Sequence, residues 1–261
     1  VSAPDETERE LTLIEHLLEL RTRIIKALLA VMLAVLALAP FARQLYALFS
    51  EPLVRQLPEG SSMIAIDVTS PFFAPFKLVM LLGLLLAMPV VLYQLWAFVA
   101  PGLYRHEQRL ARPLLAASVS LFYGGCAFAY FVVFPVIFAF FTAMAPEGVA
   151  VMTDINRYLD FVLTLFVAFG VAFQVPVVTI VLVAIGVVTP EGLARVRGYV
   201  VIGVFTAAML VTPPDMFSQT LLALPVWLLY ELGILMSRVL VTKPRAEREA
   251  QESESSGADS S

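Results

Sequence analysis

Cysteine, histidine and charge are all scarce in this chain. Its 261 residues include one cysteine, Cys126, two histidines and two tryptophans, and charged side chains make up 15% of the total. One cysteine excludes an intrachain disulfide and a thiolate metal framework. Cys126 lies inside the apolar string GGCAFAYFVVF and reads as a small buried hydrophobe. His16 and His106 are both interfacial and, without other ligands, make a poor metal site. The sequence contains no His-Glu-x-x-His, no G-x-S-x-G, no P-loop and no paired membrane aspartates, so nothing in it indicates an enzyme, a metal centre or a cofactor site. Internal repeats are absent too, which removes support for an inverted-repeat transporter.

Apolar sequence fills the space. Hydrophobic residues make up 60% of the chain and the mean hydropathy is +0.87, whereas soluble domains carry roughly 25% charged residues. Pro113 to Ala145 has no charged residue at all. A bilayer core about 30 Å thick requires roughly 20 apolar residues per helix, and six stretches qualify or nearly so: 24–41, 76–100, 113–145, 161–189, 199–213 and 220–237. The predicted fold is an all-α polytopic membrane protein. The third stretch is too long to cross upright, so it must tilt, kink or project. The fourth is interrupted by Gln174 and Pro176. The fifth, at about 1.5 Å per residue, reaches only about 22 Å, and the sixth is also short.

Charge sets the orientation. Arg9, Arg21, Arg23, Lys26, Arg105, Arg109, Arg112, Arg195, Arg197, Arg238, Lys243, Arg245 and Arg248 fall on one set of connections, and only Arg43, Arg55, Lys77 and Arg157 on the other. The basic side is predicted to be cytoplasmic, with both termini inside. The net charge of -4 resides in the tail, where Glu247, Glu249, Glu252, Glu254 and Asp259 face Arg248; the body is neutral. Residues 1–12 read as a cytoplasmic N-terminal segment, 13–240 as the six-helix domain and 241–261 as a disordered acidic tail. The "ALA" at 37–39 mimics a signal-peptide cleavage site. Some twenty residues precede the basic cluster, Pro40 would follow the cut and further spans come after, so the stretch reads as a retained first helix.

Capping signals mark the connections. Ser70 with Pro71, Thr189 with Pro190, and Thr153 or Asp154 are expected to start helices. Asp215 in TPPDMFSQ either caps the last helix or joins Thr212 and Gln219 in a polar cluster. The segment 43–75 is expected to form short helices near the outer surface. Glu231, near the inner end of the last span, is placed to snorkel or to pair with Arg238. Gln174 lies mid-span and needs a partner: the backbone freed by Pro176, or another helix. At the inner surface Glu15 and Glu19 share a helix face, and Glu19 reaches Arg23 at i+4. Glu107 follows the second span on the same side. Two acids on a basic surface make a candidate cation site, or else they neutralise neighbouring arginines.

Several of these strings occur together in one known family. HLLELRTR (16–23), DVTSPFFAPFKL, LYQLWAFVAPGLYRHEQRL, FAYFVVFPVIFAFF, AFGVAFQVPV and LVTPPDMFSQTLLALP resemble, in order, the TatC family, the multispanning core of the twin-arginine protein translocase, in its proteobacterial form. The match covers about Leu13 to Ser237. The resemblance implies six helices forming a concave bowl in the bacterial cytoplasmic membrane, a receptor for twin-arginine signal peptides, single-span TatA-type and TatB-type partners, a homo-oligomer in the complex, and export of folded proteins driven by the proton-motive force. It places Glu19, Glu107, Arg21, Arg23, Phe98 and Tyr104 in the signal-peptide site. Met209, Thr212, Gln219 and Gln174 fall in partner contacts, and Pro52 and Asp215 in functional outer loops. Gln174 departs from the family pattern, in which many members carry Glu. The rival reading is a proton-coupled small-solute transporter with Glu231 or Asp215 as relay, but the acids lie near membrane faces and no solute pocket is evident.

Overall fold

The computed structural model describes residues 6–54, 64–99, 108–144, 154–212 and 215–242. Among these the regular structure is all helix, with turns between and one isolated parallel bridge, Ile64 to Asp154. Its elements are α1 (Glu6–Leu38), α2 (Ala42–Val54), α3 (Ser70–Val99), α4 (Gln108–Phe128), α5 (Phe134–Ala143), α6 (Ile155–Ala172), α7 (Val175–Ala184), α8 (Pro190–Arg195), α9 (Arg197–Val211) and α10 (Met216–Ser237). A 3-10 turn, Ala39–Phe41, with Pro40 joins α1 to α2, and π turns follow α4 (Ala129–Val133) and α10 (Arg238–Thr242). Five runs are long and apolar enough to cross a membrane: Ile14–Phe49, Ser70–Val99, Arg112–Phe141, Ile155–Ala184 and Met216–Leu240. The shorter apolar helix α9 completes the predicted six. Its 15 residues span about 22 Å. The sixth run is longer than the expected 220–237 because Asp215 starts α10 four residues earlier. The helix beginning at Glu6 also runs through most of the segment assigned to a separate N-terminal stretch.

The apolar runs bend where local chemistry requires it. In the third run, Pro135 lacks the N–H that a straight helix would direct back one turn, and the five-residue π turn Ala129–Val133 lies immediately before it. A π turn is a recognised origin of kinks. In the fourth run, Pro176 sits at the start of α7 and the helix breaks at Phe173–Gln174. Thr189 caps α8 as predicted, its Oγ1 accepting the Gly192 N–H at 3.1 Å. Ser70 does not cap α3. The Thr69 carbonyl accepts the Phe72 and Phe73 N–H groups, so Thr69 takes the capping place and Ser70, fully buried, is the first helical residue. Its hydroxyl instead accepts the Asn156 amide.

The chain divides into two compact units, Val1–Gly102 with Glu147–Leu163, and Leu103–Pro146 with Thr164–Ser261. In the first, α1 and α2 pack along α3. Residue pairs 16/98, 23/94 and 35/83 meet in turn, which is the register of an antiparallel helix pair. Gly83 permits the closest approach: a Cβ there would lie 3.0 Å from the Val35 backbone. Ala74, Leu78, Val79, Leu92, Trp96, Leu159 and Val162 are buried. Most of α1 outside the α3 seam presents apolar side chains outward, among them Leu17, Leu28, Leu33 and Leu36, as a lipid-facing helix must. In the second unit α10 packs on α7 and α9, and Phe122, Val133, Ile137, Leu165, Phe169, Ile180 and Ile234 form the core.

Candidate functional site

One end of the α1–α3 pair in the first unit carries the predicted acid. Glu19 and Arg23 are one turn apart on α1, and Nε and Nη2 of Arg23 donate to the same carboxylate oxygen, Oε1, at 2.9 and 2.6 Å. Nη1 of Arg23 lies 3.5 Å from Oε1 of Gln94 on α3. Seven residues earlier, the His16 ring stacks on Phe98 with centroids 4.4 Å apart. The i,i+4 ion pair is thus formed as the spacing predicts, yet it does not seal the acid, because the Glu19 side chain remains 37% exposed. Oε2 of Glu19 receives no hydrogen bond among the described residues. Arg21 is exposed on the same helix. Glu107 and Tyr104 lie outside the described residues. Pro52 is in the last turn of α2.

Two polar anchors mark the ends of α3. Toward its N-terminal end Lys77 pairs with Asp160 at 2.7 Å; toward its C-terminal end stands Gln94. The seventeen residue steps from Lys77 to Gln94 rise about 26 Å, close to a hydrocarbon core of about 30 Å. The Glu19–Arg23 pair packs beside Gln94 at one end of this span, with the Glu19 side chain partly exposed.

The second unit holds the other predicted residues. Gln174 donates from Nε2 to the Ser118 carbonyl at 3.0 Å, so this amide ties α4 to the break before α7 and does not satisfy the backbone beside Pro176. Asp215 caps α10, its Oδ1 accepting the Ser218 N–H at 2.7 Å. Its Oδ2 and the Ser218 hydroxyl are buried without a partner among the described residues. Thr212 is buried and donates to the Ala208 carbonyl. Gln219 lies in the first turn of α10, half-buried, and Met209 is 55% exposed on α9. Phe140 and Phe217 stack at 4.2 Å beside this turn. Glu231 does not pair with Arg238: Arg197 takes both its oxygens, Nε to Oε1 at 2.7 Å and Nη2 to Oε2 at 2.8 Å. Arg197 opens α9, and α9 and α10 pack against each other, which brings this arginine to the acid. Tyr230 adds a hydrogen bond to the Leu193 carbonyl. No group of three or more metal-ligating side chains occurs among the described residues.

Sequence reasoning missed Gln94 and the Lys77–Asp160 pair. Gln94 is the one polar amide within the apolar string VVLYQLWAFV, and its isolation there was the available signal.

Comparison with known proteins gives a consistent result. A family model described as Sec-independent protein translocase protein (TatC) matches residues 15–225. The Sec-independent protein translocase protein TatC of Azotobacter chroococcum is 57% identical over 234 residues, covering 90% of this chain and 92% of that one. The Escherichia coli K12 protein of the same name is 54% identical over 237 residues, covering 91% and 92%. A crystal structure described as the twin arginine translocase receptor TatC superposes with a TM-score of 0.77 at 37% identity, over 86% of this chain and 98% of that one.

Proposed function

The chain belongs to the TatC family of Sec-independent protein translocase proteins, and on that premise we propose that its inner-face acids read the arginine pair of twin-arginine signal peptides. It is the TatC component of the twin-arginine translocase and a multipass membrane protein. The reading of its site rests on one observation, the half-exposed Glu19 carboxylate that spends a single oxygen on Arg23. Arginine offers a planar fork that grips a carboxylate through two parallel bonds, and lysine does not. Two acids, Glu19 and Glu107, can test for two adjacent guanidiniums. Charge-assisted bonds of this kind contribute roughly 1.5–3 kcal/mol each, enough to discriminate and still release.

On this reading Arg21, Arg23, Phe98 and Tyr104 complete the signal-peptide site. The chain lies in the bacterial cytoplasmic membrane with both termini inside, and folded precursors cross at the expense of the proton-motive force. Single-span TatA-type and TatB-type partners dock on the outer half of α9 and the start of α10, where Met209, Thr212 and Gln219 lie; Pro52 and Asp215 shape the outer loops. Glu19→Ala and Glu107→Ala are each expected to abolish photocrosslinking of a twin-arginine precursor while membrane insertion stays normal. Normal crosslinking in both variants would remove the recognition assignment.

A further inference from the structure

Arg23 already occupies the carboxylate that the proposed function assigns to a visiting guanidinium. Its Nε and Nη2 both donate to Oε1 of Glu19, so a second fork cannot take both oxygens until Arg23 withdraws. Withdrawal without a new acceptor would leave a guanidinium, 24% exposed in its side chain, unpaired at the edge of an apolar medium. One acceptor is in place. Nη1 of Arg23 stands 3.5 Å from Oε1 of Gln94, about half an ångström beyond the ordinary N–H···O separation near 3.0 Å.

We propose that Gln94 is a positioning residue for precursor recognition, receiving the Arg23 side chain when an arginine of the signal peptide claims Glu19. The inference rests on the reading of Glu19 given above. The backbones need not move, because the His16–Phe98 stack lies on one side of the pair and the Val35–Gly83 contact on the other, holding α1 and α3 in register. A rotation of the arginine side chain is sufficient. A neutral amide suits the role: it accepts a guanidinium more weakly than a carboxylate does, so Arg23 returns to Glu19 when the peptide leaves. Arg23 is then an internal competitor that excludes weaker cations from Glu19, and Gln94 sets how readily it yields.

The test is equilibrium binding of a fluorescent signal peptide to the full-length protein in nanodiscs, with Arg-Arg and Lys-Lys versions of the peptide. The unsubstituted protein is expected to prefer Arg-Arg. Gln94→Met removes the waiting acceptor at similar volume and is expected to weaken Arg-Arg binding about tenfold, equivalent to ~1.4 kcal/mol. Gln94→Glu holds Arg23 away from Glu19 and is expected to tighten binding about threefold or more. In an Arg23→Gln background the Gln94→Met loss is expected to shrink to within twofold. A merely structural role for Gln94 would weaken binding in both variants and persist without Arg23. If Gln94→Met fails to insert, the direction of the Gln94→Glu change decides, and unchanged or weaker binding overturns the proposal. Binding within twofold of the parent in both variants overturns it as well, as does a Gln94→Met loss that survives in the Arg23→Gln background. Absence of any Arg-Arg preference in the parent would instead overturn the reading of Glu19, and this inference with it.

Discussion

Gly124 and Gly125 are neighbours on α4 whose surroundings differ completely. A Cβ on Gly125 would meet the Phe169 carbonyl oxygen at 2.5 Å and the Phe173 ring at 2.9 Å; one on Gly124 would meet nothing within 4 Å. Replacing glycine by alanine inside a helix gains about 0.8–1 kcal/mol of propensity, while overpacking a close contact costs about 1–3 kcal/mol. At Gly125 the obstructing atom is backbone, which cannot swing aside, so the cost prevails. Gly125→Ala is expected to lower the thermal midpoint of the detergent-solubilised protein and Gly124→Ala to leave it unchanged or raise it. Equal shifts in the two variants would contradict the helix contact at Phe169. The Arg197–Glu231 pair calls for a different estimate. Its geometry is bidentate, but the two side chains are 49% and 27% exposed, so solvent screening limits its contribution to about 1 kcal/mol or less.

At the scale of the element, the fourth membrane run depends on how its break is secured. Pro176 makes the break, and the Gln174 amide fixes it by donating to the Ser118 carbonyl. Interhelical hydrogen bonds of this kind in membranes average about 0.6 kcal/mol, reaching about 1.7. Gln174→Leu is expected to destabilise the protein within that range, measured by chemical denaturation in mixed micelles. An ionised glutamate offers only acceptors and cannot replace this donor, so Gln174→Glu is expected to destabilise too unless the acid is protonated. A Gln174→Leu variant as stable as the parent would mean that the bond to α4 contributes nothing. The sequence made the apolar runs legible, and it made the caps at Thr189 and Asp215 legible because a cap is decided within four residues. It did not reveal the partner of Glu231, which lies 34 residues away and meets it only when α9 packs on α10. It also placed the start of α3 one residue late, since both Thr69 and Ser70 can cap and only the burial of Ser70 against Asn156 separates them. The place of Gln94 opposite Arg23 follows from the antiparallel register of α1 and α3, which neither helix carries in its own composition.

For the whole molecule, orientation is the property on which the proposed reading of the acids depends, because that reading has Glu19 and Glu107 meet a signal peptide from the cytoplasm. Thirteen of the 17 basic residues lie on the connections assigned to that side, and such a bias ordinarily sets topology. The single cysteine makes a direct test possible: Cys126 is 6% exposed, with its thiol directed at the Phe166 carbonyl, so background labelling is low and Cys126→Ala removes it. The charge bias assigns Val68, 98% exposed just before α3, to the outer connection, and Glu191, exposed in α8, to the inner one. In the Cys126→Ala background, Val68→Cys is expected to react with a membrane-impermeant maleimide in intact spheroplasts. Glu191→Cys is expected to react only after the membrane is opened. The reverse pattern would put Glu19 on the outer face, where no precursor arrives, and the acids would then require a different role.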